Sequence, residues 1–193
     1  MAVPPMSDVP PTLRAYKLDR TIALVGLMGV GKTSVGKRLA TALNLPFRDA
    51  DQEIERAADR SISEIFAERG ESEFRAGERR VIARLLDEPP HVLATGGGAF
   101  AHADTRALIN AKAISIWLKA DLAVLARRVA RKATRPLLVG RDPLEVLTAQ
   151  AEDRYRFYGQ AHLVIDTLDA PHAAAVDIII KALAGHAHAT AAS

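Results

Sequence analysis

The chain has no cysteine. That excludes disulfides and thiolate metal sites and agrees with a reducing, cytoplasmic setting. No apolar run approaches the ~18–20 residues of a membrane span, so no membrane association is expected. Aromatic residues make up only 5% of the chain and the net charge is only +3. Both argue against a nucleic-acid-binding surface, and no RNA- or DNA-binding motif is present. The six histidines are scattered without metal-ligand spacing. The opening segment, MAVPPMSDVPPTLRAYKLD, carries prolines where a secretory peptide needs an apolar stretch, so residues 1–18 read as a flexible leader. What remains is 193 residues, 49% hydrophobic and 25% charged, enough for one globular domain over about 19–184 with a packed core. The ending, HAHATAAS, reads as a disordered tail over 185–193. Arginine outnumbers lysine 19 to 7, a bias that suits carboxylate and phosphate recognition as well as a solvated surface.

The most specific segment is Gly26-Leu27-Met28-Gly29-Val30-Gly31-Lys32-Thr33, a complete G-x-x-x-x-G-K-[ST] phosphate-binding loop. It lies between an apolar run, Ile22 to Val25, and a helical pattern from Ser34 to Ala40. That is the strand–loop–helix setting the motif needs. Its backbone N–H groups turn toward phosphate oxygens, and the helix N-terminus adds its dipole. Gly29, Val30, Gly31, Lys32, Thr33 and Ser34 are therefore the candidate nucleotide contacts. Lys32 reaches the β- and γ-phosphates, and the Thr33 hydroxyl ligates Mg²⁺. The motif predicts a nucleoside triphosphate with magnesium.

Apolar runs alternate with helical patterns along the rest of the chain. Strands are expected at Ile22–Val25, Leu45–Arg48, His91–Thr95, Ala113–Leu118 and Leu163–Asp166. Helices are expected over Thr33–Leu43, near Ile62 behind a Ser61-x-x-Glu64 capping box, over Glu71–Leu86 after an interruption at Gly70, and from a cap at Asp104 to Asn110. Others begin at Asp121, at Asp142-Pro143 and at Pro171, the last ending at Leu183. Five strands separated by helices imply a three-layer α/β fold on a five-stranded parallel sheet.

Four further features carry chemistry. Asp49 and Asp51 leave the second strand at the sheet end where open α/β folds bind ligands. One can serve magnesium and the other can take a proton from a hydroxyl; Asp51 can equally be a plain helix cap. Arg75 lies on a helical face with Arg79 and is a candidate site residue whose competing reading is a surface ion pair with Glu71 or Glu78. Gly96-Gly97-Gly98 after a buried strand lets backbone approach a ligand closely. The aperiodic, basic stretch 133–141, with Arg135, suits a lid over phosphates or an ordinary surface loop.

Taken together, GLMGVGKTSVGKRLA, FRDADQEIE, IFAERGESEFRAGE, LATGGGA and RPLL followed by EDRYRFY resemble the shikimate kinase family, from about Thr21 to Leu183. The resemblance implies a P-loop NTPase fold with a substrate-binding helical insertion near 49–88 and a lid near 133–141. It implies a cytoplasmic enzyme, expected to be a monomer, that phosphorylates the 3-hydroxyl of shikimate with ATP and Mg²⁺, a step toward chorismate and the aromatic amino acids. Carried over by residue, Thr33 and Asp49 serve the metal, while Asp51, Arg75, Gly97 and Arg154 hold shikimate. Asp51 sits at the reacting hydroxyl. Lys32 and Arg135 act on the transferring phosphoryl group, with Arg128 and Pro171 near adenine. Two departures stand out. Arg156 occupies the proline position of the family's R-x-P-x-Y pattern and competes with Arg154 as the carboxylate partner. The segment Thr167–Pro171 lacks the arginine often found in the adenine loop.

Three alternatives compete with that reading. A gluconate kinase shares the loop and sheet but does not need the arginine-bearing helix and the triple glycine together. A regulatory nucleotide-binding module has no use for both Lys32 and Asp51. A nucleic-acid-associated ATPase is disfavoured by the charge and aromatic content.

Overall fold

The computed structural model describes residues 19–130, 142–167 and 172–191. The expected leader 1–18, the 133–141 stretch with Arg135, and Pro171 lie outside the described residues.

Five strands form one all-parallel sheet: β1 (Thr21–Val25), β2 (Phe47–Asp49), β3 (Val92–Ala94), β4 (Ala113–Lys119) and β5 (Leu163–Asp166), in the order β2-β3-β1-β4-β5. Every residue of β1 is buried, because it is hydrogen-bonded on both edges and covered on both faces. Ile22 lies opposite Val92 on one side and Ile114 on the other, so the middle of the sheet is a continuous apolar layer.

The helices are α1 (Lys32–Leu43), α2 (Ala50–Ala58), α3 (Ile62–Leu86), α4 (Ala103–Lys112), α5 (Leu122–Ala130), α6 (Pro143–Tyr158) and α7 (His172–Ala191), with a 3₁₀ turn at Ala99–Ala101. Helix α1 packs on β3 and against α7, whereas α4 packs on β4 and against α3. Right-handed crossovers running in opposite directions from β1 put helices on opposite faces, which makes three layers. Leu24, Leu39, Ile82, Leu93, Ile116 and Ile179 belong to the main core. The α2–α3 pair has a smaller core of its own, Ile54, Ile65 and Phe74, with Phe66 and Phe74 rings 4.5 Å apart. This pair is the helical insertion expected between the second and third strands.

Local signals set most of the element starts. Ser61 and Glu64 form the reciprocal capping box of α3, and Asp142 caps α6 with proline in its first turn. Gly70 breaks α3 with φ 75° and ψ 174°. Two expectations need correction. Asp104 does not cap α4; His102 holds the cap position, and Asp104 sits in the first turn bonded to Arg79 at 2.6 Å. The last helix does not stop at Leu183 but runs to Ala191, so most of the expected disordered tail is helical. Alanine is the best helix former, and this stretch is rich in it. Ala187 is buried, and the His186 ring meets His162 at a centroid distance of 6.0 Å.

Leu24 is fully buried and packs beneath α1 at Gly36, so its removal tests the β1–α1 junction that carries the phosphate loop. Leu24→Ala is expected to cost about 2–5 kcal/mol, read as a lower urea midpoint at unchanged slope. A loss below about 1 kcal/mol would show that the junction repacks without strain.

Candidate functional site

The chain leaves β1 through Gly26, whose φ of 138° is open only to glycine. A Cβ there would also lie 2.5 Å from the Leu118 carbonyl oxygen. Gly31, at φ 95°, holds the N-cap position of α1, so the loop ends on the positive end of that helix. Lys32 Nζ donates to the Gly26 and Leu27 carbonyls at 2.8 and 3.0 Å. Its ammonium therefore lies over the loop rather than out in solvent.

Asp49 ends β2 and joins two parts of the site. Its Oδ2 accepts from the Thr33 hydroxyl at 2.8 Å, and its Oδ1 accepts from the Asp51 backbone N–H at 3.1 Å. Asp49, not Asp51, is thus the cap of α2. That leaves the Asp51 carboxylate for other work, in the first turn of the helix. Its pKa is pushed up to about 6 by burial first and by neighbouring Asp49, Glu78 and Glu55; Lys32 pulls the other way.

The triple glycine after β3 is where charged side chains from three helices meet the backbone. A Cβ on Gly96 would lie 2.7 Å from Glu78 Oε1 and 2.9 Å from Asp51 Oδ1. A Cβ on Gly98 would lie 2.6 Å from Arg75 Nη2. The Gly97 carbonyl accepts from Arg154 Nη1 at 3.3 Å and from the Tyr158 hydroxyl. Thr95, just before the loop, ties it to β1 by donating its hydroxyl to the Leu24 carbonyl at 3.0 Å.

Arg75 does pair with Glu71 and Glu78; the first partner is exposed, but the second pair is not at the surface. The Glu78 side chain is 2% exposed; its Oε2 accepts from Arg75 Nη1 at 2.8 Å, while Oε1 has no hydrogen-bond partner. Burial raises the Glu78 pKa, and Arg75 opposes that rise. Glu78 is the site residue whose importance the sequence reading missed. The signal was a carboxylate in the apolar stripe Phe74, Glu78, Ile82, spaced by four.

These groups open onto one cleft of about 860 Å³. Gly29, Gly31, Lys32, Thr33, Ser34, Asp49, Asp51, Arg75, Gly97, Arg128 and Arg154 all line it. Val30 does not, because its side chain is packed in the core. Ile62, Phe66 and Phe74 give one wall an apolar character, and His172 lines the nucleotide end beside Gly31. Arg156 is exposed and stacks over the Phe157 ring at 4.6 Å, so Arg154 is the arginine of that helix that faces the cleft.

A phosphate loop at one end of a cleft and paired carboxylates and guanidiniums at the other describe a small-molecule phosphotransferase. The family model for shikimate kinase matches residues 28–184. A shikimate kinase from Caulobacter vibrioides is 68% identical over 164 residues, covering 85% of this chain and 82% of that protein. One from Zymomonas mobilis is 54% identical over 164 residues, covering 85% and 93%. The structure of an Acinetobacter baumannii shikimate kinase in complex with shikimate superposes with a TM-score of 0.85 at 34% identity, covering 90% of this chain and 98% of that one. The fold is accordingly that of the P-loop NTPases, and the chain belongs to the shikimate kinase family.

Proposed function

We propose that this chain transfers the γ-phosphoryl group of ATP to the 3-hydroxyl of shikimate, with Asp51 as the group that accepts the hydroxyl proton. The observation that carries this reading is the shared cleft: a complete phosphate loop, one carboxylate with a pKa near 6, and two arginines gathered on a glycine backbone. Family membership supports it over a gluconate kinase or a non-catalytic nucleotide-binding module.

Shikimate carries a carboxylate and hydroxyls on a small ring. Arg75 and Arg154 suit the carboxylate, since a guanidinium makes two parallel bonds to it. Asp51 suits the hydroxyls, and Ile62, Phe66 and Phe74 suit the ring. Lys32 and the α1 N-terminus supply the charge and donors for the phosphates, so catalysis rests on positioning and electrostatics.

Among the described residues no three His, Asp or Glu side chains gather into a metal cage. The Thr33 hydroxyl beside the Asp49 carboxylate instead fits Mg²⁺, which binds through few protein oxygens and keeps waters and substrate phosphates. When bound, the ion would neutralise charge on the β- and γ-phosphate oxygens. Thr33 and Asp49 would hold it. We place the reaction in the cytoplasm of a cell, carried out by a monomer; no described helix is long and apolar enough to cross a membrane.

Coupled ADP release with shikimate, with gluconate and with no acceptor tests the reading. Turnover only with shikimate is expected, and turnover with gluconate alone would overturn it. Asp51→Asn keeps the shape but cannot take the proton, so turnover should fall about 10²–10⁴-fold while shikimate still binds. In the unaltered enzyme kcat/KM for shikimate should drop as pH falls through about 6, because only ionised Asp51 accepts a proton. The raised pKa also means that Asp51 destabilises the fold where it is ionised: its contribution is favourable below the usual carboxylate value and is lost as pH rises through about 6. Arg75→Lys should raise the shikimate KM about 10–100-fold and leave that for ATP nearly unchanged, from loss of a charged bidentate contact worth about 1.5–3 kcal/mol. Equal kinetics would make Arg75 a purely structural ion pair. Asp49→Asn should show as a higher magnesium requirement, measured by titrating the metal at fixed ATP.

A further inference from the structure

Tyr158 is the final residue of α6, one turn beyond Arg154, and the spacing of four puts both side chains on one face of the helix. It is fully buried. A tyrosine in such a place needs a partner for its hydroxyl. The partner is the Gly97 carbonyl, the same oxygen that accepts from Arg154. The phenol also lies within reach of the Arg154 guanidinium, and burial pushes its own pKa up to about 12, so it stays a neutral donor throughout the working pH range. The ring is held from several sides. Its centroid lies 5.8 Å from Trp117, 6.3 Å from Tyr155 and 6.5 Å from Phe100, the last in the 3₁₀ turn that follows the glycines.

This arrangement has a mechanical consequence. A trans peptide directs its C=O and the next N–H to opposite sides. Two donors that fix the Gly97 carbonyl therefore also fix the Gly98 N–H and the backbone against which Arg75 is packed. The hydroxyl thus links the two arginines through a single peptide plane. Without it, Arg154 alone would hold the carbonyl, and it is shared with Gln150 at 3.4 Å.

We propose that Tyr158 is a positioning residue of the acceptor site: by holding the Gly97 carbonyl it sets Arg154 and the Gly96–Gly98 backbone at the separation that the acceptor's carboxylate and hydroxyls require. The proposal rests on the assignment of Arg154 and Gly97 to the acceptor. It also explains why the aromatic residues of a chain otherwise poor in them, Trp117, Tyr155, Tyr158 and Phe100, are gathered behind the glycine loop.

The test is Tyr158→Phe, which removes one oxygen and keeps the ring. The shikimate KM should rise about five- to tenfold, the effect of one hydrogen bond, with the ATP KM unchanged and kcat within about twofold. Tyr155→Phe, in the same aromatic cluster but without a bond to Gly97, should leave both KM values as they are. A purely packing role predicts instead that both substrates weaken together, or that neither changes, and either result overturns the proposal. In an Arg154→Lys background the effect of Tyr158→Phe should shrink, because Tyr158 acts in part through the placement of the Arg154 guanidinium; an effect of undiminished size overturns it as well. If Arg154→Lys by itself leaves the shikimate KM unaltered, the acceptor-site assignment fails and this proposal with it. If Arg154→Lys raises that KM and Tyr158→Phe does not, only the role of Tyr158 fails. Should Tyr158→Phe not fold, the single tryptophan of the chain supplies the readout in the unaltered enzyme. Trp117 packs on Tyr158, so its emission should change on titration with shikimate, and emission blind to shikimate would overturn the proposal.

Discussion

The burial of the Glu78 carboxylate against Arg75 is the constraint around which the half of the cleft proposed for the acceptor is arranged. Removing a carboxylate from water is unfavourable, and a single guanidinium at 2.8 Å offsets the cost for one of its oxygens only. Such a pair is weak as a source of stability but strong as a source of geometry, since loss of one partner leaves a buried charge. It fixes the rotation of α3, and with it the direction of Arg75. Any side chain at Gly96 or Gly98 would occupy the space that these charged groups use. The glycines are thus required by what approaches them from outside, and only secondarily by the turn they make.

The donor half is joined to this arrangement through Asp49. One oxygen receives the Thr33 hydroxyl at the start of α1, and the other caps α2. A shift of the phosphate loop would therefore move the helix that carries Asp51. The capping carboxylate of Asp49 and the carboxylate proposed to accept the proton, Asp51, are two residues apart, so capping sets the depth of Asp51 in the cleft. Its raised pKa follows from that depth and from crowding by other acids, which Lys32 only partly offsets. An aspartate with this pKa is mostly ionised near neutral pH yet basic enough to share a proton, which suits hydroxyl activation.

Arg156, two residues from Arg154, shows how a charge beside the cleft is accommodated. Helix α6 continues through this position to Tyr158. Arg156 lies on one side of the Phe157 ring, while Arg106, 4.7 Å from the same ring, donates to the Phe100 and Ala101 carbonyls. That charge is held at the surface, and the face that carries Arg154 and Tyr158 is left to the cleft.

Local patterns made much of this protein legible in advance. The phosphate loop is contiguous, and its strand and helix flank it directly. Four of the five strands are short, largely apolar runs between turn residues, with β2, Phe47–Asp49, the exception, and the capping box at Ser61 and the proline start at Asp142 act within a few residues. Asp49, Asp51, Arg75 and Gly97 stand out by residue type and place in the chain, and Arg154 and the role of each follow from the match to a known family; no spacing reveals that they converge. The misreadings were also local. Asp104 and His102 both suit the cap of α4, and the alanine-rich ending reads as disordered in isolation because its docking on His162 and the core is long-range. Only the tertiary structure decided that Asp49 rather than Asp51 caps α2, that Glu78 is buried and Arg156 is not, and that Tyr158 and Arg154 share one carbonyl. The choice of cap is local, a bond between residues two apart, but the other three depend on distance and desolvation between segments far apart in the chain, and those quantities do not exist until the sheet has brought the segments together.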